Sequence, residues 1–333
     1  MLNIAIVYLG KNVPTYVYRN LARMVRDFPD HPTYFVSDNE AALSKAKLTG
    51  SKVFKVDLNN QSAAELVTNL KHPRDFRKGF WLYTTGRFFA LEELSKFLNE
   101  PIIQVEADVL LLSTFPLSKF IPINTICYPL ESLNTGAASI FFIPNRTSIK
   151  EFNEFILTAT EKNGFETDMT LLGSYYAQHP DKVTILPSIP PVAKQLDAKN
   201  NLYDASKNYH DFEGLFDPLT YGLYLLGEDP KNNYGKIIFG SKPKLHLISS
   251  LDLDFKVERN SLYLKFNSQE YPIYCLHIHS KNLKVFNSKT STFELEKSII
   301  FAKENRIKFS FAALFYLIIR AAQRRVSREK NER

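Results

Sequence analysis

The chain has few cysteines and no long apolar run near its C-terminus. Cys127 and Cys275 are its only cysteines, and each lies in an apolar stretch. Two buried free thiols argue against a disulfide framework and suit a reducing compartment. The uncharged run 309–319 has 11 residues, which is short of the roughly 20 that a membrane-spanning helix needs.

The N-terminus also lacks the features of a signal peptide. Residues 1–10, MLNIAIVYLG, carry no basic leader and no small-residue cleavage site. We therefore expect a first strand there. No Gly-x-Gly-x-x-Gly follows this strand, which argues against a classical dinucleotide-binding fold.

Outside its C-terminal segment the chain has almost no excess of charge. The formal net charge is +7, yet residues 306–333 contain eight Lys/Arg and two Glu. The preceding residues contain 34 basic and 33 acidic side chains. A near-neutral body argues against a nucleic-acid partner, and the basic excess belongs to the tail.

Apolar residues near the N-terminus alternate between strand and helix spacing. Short apolar runs at 4–9 and 33–37 enclose a helical pattern at 16–28. This β-α-β order predicts an α/β fold with a parallel sheet. At this length the chain can form one large domain or two small ones.

The most informative stretch is an acidic pair that follows an apolar strand. Pro101 opens the run 102–105, Glu106-Ala107-Asp108 come next, and a second apolar run covers 109–112. Ligands bind at the carboxyl ends of strands in open α/β sheets, and divalent cations prefer oxygen ligands. A salt-bridged or turn-capping acid pair is the structural alternative.

Arg87 precedes this strand on a stretch with helical spacing. The order of Arg, helix, strand and acid-x-acid resembles the nucleotide-sugar glycosyltransferases of the GT-A fold, most of all their galactosyltransferase/glycogenin-like retaining branch. The resemblance implies a Rossmann-like α/β fold with a mixed, mostly parallel sheet flanked by helices. It also implies that Asp108 binds Mn²⁺ or Mg²⁺ and that Arg87 contacts the donor diphosphate. Glu106, a candidate for both metal and donor contacts, stands where the family usually has Asp.

Two further elements follow in the order of that family. Asn134-Thr135-Gly136 resembles an Asn-x-Gly element that contacts the donor sugar, although a hairpin turn would look the same. Asp168 matches an Asp that contacts sugar hydroxyls near the anomeric carbon. Thr167 or Asp168 could also cap a helix running to residue 177. Asp168 and Asn134 are accordingly catalytic candidates.

A late histidine pair extends the resemblance. His277 and His279 alternate onto one face of an expected strand at 271–279. The family completes its metal site with a late His and places a Lys on the diphosphate shortly after it. Either His could be the ligand, with His279 favoured because it is nearer the strand's carboxyl end. Lys281 is the better phosphate candidate and Lys284 the second.

Four other positions are candidates with ordinary structural alternatives. Leu9 and Tyr16 follow the first strand, where the family contacts the nucleoside; core packing is the alternative. Asp217, a further catalytic candidate, and Tyr221 could line an acceptor cleft, with a surface loop as the alternative.

The C-terminal tail, residues 291–333, combines the apolar run with basic flanks. This pattern predicts an amphipathic helix that lies on an anionic membrane surface, and a terminal helix docked on the core is the alternative. The rest, 1–290, would be the GT-A domain, with a donor-binding half at about 1–185 and an acceptor-side half at about 186–290. We expect a cytoplasmic protein, peripheral on the inner face of the cell membrane.

These features together favour a metal-dependent glycosyltransferase. It would move a sugar from a nucleotide-diphosphate donor to a glycan or lipid-linked acceptor in bacterial surface polysaccharide synthesis, with retention implied by the resemblance. A metal-dependent phosphate-ester hydrolase is one alternative. A catalytically silent sugar-binding or assembly module at the membrane is the other.

Overall fold

The computed structural model describes most of the chain. The described residues are 1–57, 61–73, 76, 79–191, 193, 204–227, 248, 251, 253–258 and 261–279. The predicted C-terminal helix, the tail 291–333 and both Lys281 and Lys284 lie outside them.

Helices and strands alternate through the first half of the described chain. The helices are α1 Thr15–Asp27, α2 Glu40–Lys47, α3 Gln61–Asn69, α4 Phe80–Phe97, α5 Arg146–Lys162, α6 Asp168–Gln178, α7 Tyr209–Phe212 and α8 Tyr221–Leu226. The strands are β1 Asn3–Val7, β2 Thr33–Ser37, β3 Lys52–Lys55, β4 Ile102–Val105, β5 Val109–Leu111, β6 Ile126–Ser132, β7 Thr135–Gly136, β8 Ile140–Ile143, β9 Val183–Leu186, β10 Asp254–Glu258, β11 Ser261–Phe266, β12 Gln269–Ile273 and β13 Cys275–His277.

The central sheet has the order β3-β2-β1-β4-β8-β6-β7, with β9 beside β6. β1 runs parallel to β2 and β4, β2 to β3, and β6 to β9. β8 is antiparallel to both β4 and β6, and β7 is antiparallel to β6. This confirms the predicted α/β class with a mixed, mostly parallel sheet flanked by helices, as expected of a GT-A (Rossmann-like) fold.

The apolar runs became strands because the sheet interior is covered on both sides. All residues of β1 and β4 are buried, which is why both strands read as continuous apolar sequence. On one face Phe88 of α4 packs against Phe141 of β8 and Phe152 of α5, with ring centroids 5.0 Å apart in each pair. β8 is the neighbour of β4 in the sheet, so this packing holds α4, the helix that carries Arg87, on the face of the sheet beside the strand that ends in the acidic pair.

A short second sheet brings the late part of the chain to the acidic pair. β13 pairs antiparallel with β5, so that His277 lies opposite Val109 and Cys275 opposite Leu111. The amide of Ile278 also donates to the carbonyl of Asp108 over 2.8 Å. His277 is therefore held beside Asp108 by backbone pairing.

The strand expected at 271–279 is divided in the structure. β12 ends at Ile273 and pairs with β11, whereas β13 begins at Cys275 and pairs with β5. Between them the Tyr274 amide donates to Leu215 and the Tyr274 carbonyl accepts from Leu112, both over 2.9 Å. Tyr274 thus marks the point where the chain passes from one sheet to the other.

Two remaining expectations concern the thiols and the membrane. Cys127 and Cys275 are buried free cysteines, as predicted. Among the described helices, none has both the length and the apolar character that crossing a membrane requires.

Candidate functional site

Glu106, Asp108 and His277 form a cluster at the carboxyl end of β4. One ligand atom from each lies within 4.8 Å of the others. His277 Nδ1 is 3.5 Å from Glu106 Oε2, and His277 Nε2 is 3.4 Å from Asp108 Oδ2. The side chains are 10–17% exposed, so the cluster is enclosed but not sealed.

The donor set of this cluster fits a divalent cation. Two carboxylates and one imidazole suit ions that accept mixed oxygen and nitrogen ligands, such as Mn²⁺. His277 Nδ1 is buried without a hydrogen-bond partner, which is unusual for a buried polar atom. Burial also lowers the pKa of His277, opposed by the charge of Glu106. The lowered pKa favours the neutral ring that metal binding requires.

The structure distinguishes the two late histidines. His279 Nε2 lies 2.7 Å from the carbonyl oxygen of Leu219 and donates to it. The His279 ring stacks on that of His277, with centroids 4.3 Å apart. His277, not His279, is grouped with the two acids. The preference for His279 is therefore corrected, because the pairing of β13 with β5 places His277 beside Asp108.

Arg87 connects the cluster to Asp168. One of its terminal nitrogens donates to Glu106 Oε1 and the other to Asp168 Oδ2. Burial lowers the pKa of Arg87, but the charges of Glu106 and Asp168 outweigh this effect and raise it. The guanidinium is 7% exposed and already engages two carboxylates. Its expected contact with a diphosphate stays a prediction.

Asp168 is the first residue of α6, but it does not cap the helix. The Thr167 side chain accepts from the Thr170 amide, and Thr170 Oγ1 accepts from the Thr167 amide, which makes a capping box. The carboxylate of Asp168 is thereby left for Arg87. Burial raises the pKa of Asp168, and the guanidinium opposes that rise.

Asn134 and Gly136 lie in the hairpin between β6 and β7, which packs on α6. A Cβ at Gly136 would lie 2.6 Å from Leu172 Cβ, and one at Gly173 would lie 2.0 Å from the Asn134 carbonyl oxygen. The backbone at Asn134–Gly136 thus forms the hairpin turn that was the structural alternative. Asn134 is exposed and its backbone lies against Gly173 of α6; its sugar contact stays a prediction.

Leu9 and Tyr16 are both buried in the hydrophobic core, which agrees with the alternative of core packing. Contact with a donor base stays untested for both.

Nearby, at the ends of β1 and β2, an open cavity of about 260 Å³ is lined by Lys11, Asn12, Val13, Pro14, Tyr18, Asn39, Ala41, Ala42 and Lys45. The acidic cluster is not part of this cavity.

Asp217 does not line a cleft, and this prediction is wrong. Its side chain is fully buried, and its two oxygens accept from the amides of Thr220, Tyr221, Gly222 and His277 over 2.7–2.8 Å. Burial raises the pKa of Asp217, and these amide bonds oppose the rise. Tyr221 is also fully buried, and its hydroxyl donates to the Ser188 carbonyl.

Two residues near the cluster were missed from the sequence. Asn20 Nδ2 donates to the carbonyls of Ala107 and Val109, over 3.1 and 2.8 Å. Ser139 Oγ donates to the Asp217 carbonyl, and the Ser139 carbonyl accepts from the Glu106 amide. A polar Asn within the apolar stripe of α1 was the available signal for the first. Ser139 carried no signal.

The chain matches no family model and no curated protein in sequence. Many solved structures resemble part of it, among them the following three. A mouse xyloside xylosyltransferase 1 structure is 11% identical, covering 61% of this chain and 92% of that one with a TM-score of 0.40. The galactosyltransferase LgtC, in complex with donor and acceptor sugar analogues, is 13% identical. The match covers 61% of this chain and 83% of LgtC, with a TM-score of 0.40. The PaToxG glycosyltransferase is 14% identical. The match covers 54% of this chain and 69% of PaToxG, with a TM-score of 0.38. All three are glycosyltransferases. Their sequence identities and TM-scores are low, so the fold class of this chain rests on its own strand order.

Proposed function

We propose that this chain is a glycosyltransferase that uses a nucleotide-diphosphate sugar together with Mn²⁺ or Mg²⁺. The observation that carries the proposal is the Glu106–Asp108–His277 cluster, which lies beside the buried Arg87–Asp168 pair. It lies at the carboxyl end of a parallel strand, where α/β sheets bind their ligands.

Asp108 and His277 are the proposed cation ligands, and Glu106 completes the set. Glu106 also approaches His277 Nδ1 with one oxygen and accepts from Arg87 with the other. A ligating His commonly has its second ring nitrogen oriented by a carboxylate, so Glu106 can hold the ring as well as the ion. The bound cation supplies positive charge that stabilises the leaving diphosphate.

Asp168 is the proposed contact for the donor sugar. Arg87 holds its carboxylate in one orientation, and the guanidinium charge opposes the rise in the pKa of Asp168 that burial causes. Such preorganised charge acts without further rearrangement when charge develops in the transition state. Asn134 is the second proposed sugar contact. Retention of configuration is proposed on the family resemblance.

The donor's other groups are assigned from sequence alone. Lys281, and after it Lys284, are proposed to contact the diphosphate, and Leu9 and Tyr16 mark the edge where the nucleoside would lie. Lys281 follows the last residue of β13, His277, by four positions in the sequence. Lys281→Ala is expected to lose more affinity for a nucleoside diphosphate than for the bare nucleoside. Equal loss for both ligands would contradict the phosphate contact.

The acceptor is proposed to be a glycan or lipid-linked glycan of a bacterial surface polysaccharide, reached at the cytoplasmic face of the membrane. The basis is the tail sequence, in which eight Lys/Arg and two Glu flank the apolar run. A chain ending at Asn305 should keep its activity on a soluble acceptor analogue and stop sedimenting with anionic vesicles. A full-length chain that ignores such vesicles would contradict the membrane assignment.

The test of the function is a thermal-shift screen of nucleotide sugars with and without Mn²⁺. A ligand that binds only the native state must raise the unfolding temperature. We expect stabilisation by one nucleotide-diphosphate sugar, and only when Mn²⁺ is present. No stabilisation by any nucleotide sugar would contradict the proposal. Donor hydrolysis without a glycan product would instead favour a phosphate-ester hydrolase.

A further inference from the structure

The backbone on both sides of Asp108 is held by a buried side chain from another element. Asn20, on α1, is fully buried. Its Nδ2 group uses both hydrogens, donating to the carbonyls of Ala107 and Val109. An amide NH₂ carries two donors, so this one residue binds the carbonyl before Asp108, that of Ala107, and the carbonyl after it, that of Val109.

The backbone of His277 is held by a second buried side chain. Asp217 Oδ2 accepts from the amides of both His277 and Gly222, over 2.8 and 2.7 Å. Its Oδ1 accepts from Thr220 and Tyr221, over 2.7 and 2.8 Å. A Cβ at Gly222 would lie 2.0 Å from the His277 carbonyl oxygen. The start of α8 is therefore in direct backbone contact with His277.

Ser139 connects the Asp217 segment to Glu106. Its carbonyl accepts from the Glu106 amide over 3.1 Å, and its hydroxyl donates to the Asp217 carbonyl over 3.0 Å. Ser139 is fully buried. Asn20, Ser139 and Asp217 come from three different parts of the chain. Together they bind the backbone amides of Glu106 and His277 and the carbonyls on both sides of Asp108.

We propose that Asn20, Ser139 and Asp217 are positioning residues of the cation site. The inference rests on the proposed function, since it concerns the metal-binding side chains named there. The three residues are not proposed cation ligands; they bind the backbone at or next to the ligands. They keep Glu106, Asp108 and His277 at their mutual distances before a cation arrives.

The side chains of Asp217 and Asn20 suit the backbone groups that they bind. A carboxylate has about four lone-pair sites and no donor, and Asp217 faces four amide donors. An Asn at this position would offer one oxygen and turn an NH₂ group toward two of those amides. Asn20 faces two acceptors, and an Ala there would leave the Ala107 and Val109 carbonyls without these bonds. Removing such a partner costs more than the bond itself contributes.

Asn153 provides a matched control for Asn20. Asn153 is also buried, and its Nδ2 also makes two bonds, to the Phe88 carbonyl and to Glu92 Oε2. In both residues the side-chain oxygen has no hydrogen-bond partner. Neither of these two Asn153 bonds involves a proposed cation ligand. Asn20→Ala and Asn153→Ala therefore delete the same atoms from similar surroundings.

The experiment measures Mn²⁺ affinity of the full chain by titration calorimetry, and unfolding temperature by calorimetry, for four variants. We expect Asn20→Ala and Asn153→Ala to lower the unfolding temperature similarly. Asn20→Ala and Asp217→Asn should weaken Mn²⁺ binding by about 10-fold or more, as loss of outer partners typically does. Asn153→Ala should bind Mn²⁺ as the unsubstituted chain does. Ser139→Ala, which removes a single hydroxyl, should fold and also weaken Mn²⁺ binding.

Unchanged Mn²⁺ affinity in Asn20→Ala and Asp217→Asn would overturn the positioning role. If those two variants do not fold, unchanged affinity in Ser139→Ala would overturn it in the same way. Equal loss of affinity in Asn153→Ala would show a general effect of instability and would also overturn it. If the unsubstituted chain does not bind Mn²⁺, the proposed function fails first and this inference fails with it.

Discussion

Glu106 and Asp108 are separated by one residue yet have different surroundings. Glu106 approaches Arg87 with one oxygen and His277 Nδ1 with the other. Asp108 lies against His277 Nε2, the other ring nitrogen. Each ring nitrogen therefore has its own neighbouring carboxylate, and a cation bound at Nε2 would be nearer Asp108 than Glu106.

We expect Asp108→Asn to abolish metal-dependent binding of a nucleotide sugar and to lower turnover by orders of magnitude. The amide keeps the volume of the carboxylate but loses the charge that holds a hard cation. Calorimetric titration with and without Mn²⁺ measures the change. Asp181→Asn, in an exposed turn, is the control. Equal metal-dependent binding by mutant and parent would contradict the assignment of Asp108.

Replacing Arg87 with Ala should destabilise the fold strongly. The change leaves Glu106 and Asp168, 17% and 8% exposed, without their cationic partner. Breaking a buried ion pair from one side costs about 3–5 kcal/mol, which urea unfolding can measure. Lys119→Ala, which removes a pair with the 73% exposed Glu213, should cost far less, because water screens exposed pairs. Similar losses in both variants would show that the Arg87 pairs add no special stability.

At the scale of secondary structure, the site depends on two close backbone contacts made by glycines. Gly173 lets α6 approach the hairpin at Asn134, and Gly222 lets the start of α8 approach β13 at His277. The first contact involves α6, which begins with Asp168, and the second involves the start of α8, which follows Asp217. A side chain at either glycine would separate elements that carry candidate site residues.

Gly173→Ala and Gly86→Ala should change stability in opposite directions, although both glycines lie within helices. A Cβ at Gly173 meets the Asn134 carbonyl oxygen at 2.0 Å, whereas one at Gly86 meets Leu9 Cδ1 at 3.6 Å, an ordinary contact. Overpacking costs about 1–3 kcal/mol, so Gly173→Ala should lower the midpoint of urea unfolding. Gly86→Ala should raise it, by about 0.5–1 kcal/mol. A loss of stability in both would mean that α4 does not tolerate even an unstrained methyl group.

At the scale of the molecule, one hydrophobic core runs from the N-terminal strands to β13. Cys127 on β6 and Cys275 on β13 both belong to this buried core. The pairing of β13 with β5 joins the late segment to the central region, and His277 reaches the acidic pair through it. The site therefore forms only when the early and late parts of the chain are packed together.

Neither thiol should react with an aromatic disulfide reagent in the native protein at pH 8. Burial raises the pKa of both thiols, and the thiolate is the reactive species. Both should react at once in 6 M guanidinium, about the strength that unfolds even hyperstable domains. Cys127→Ala and Cys275→Ala assign any partial reaction to one site. Fast reaction of Cys275 in native buffer would show that the β13–β5 pairing opens readily.

The sequence alone determined the local elements and the acidic motif. Residues 102–105 form the buried strand that was predicted, and the α1 and β2 patterns became elements close to their expected bounds. Such patterns depend on spacing within a few residues, because each face of a helix or strand must meet either core or solvent. The position of Glu106 and Asp108 at a strand's carboxyl end followed from the same local reasoning.

Only the tertiary structure decided which distant side chains meet. The choice of His277 over His279 depends on the register of β13 against β5. The role of Asp217 depends on four amides, one of which belongs to His277. Asn20 meets the acidic motif because α1 packs across the end of β4. These contacts join residues far apart in the chain, and they are set by the closure of sheets and helix packing rather than by any spacing along the sequence.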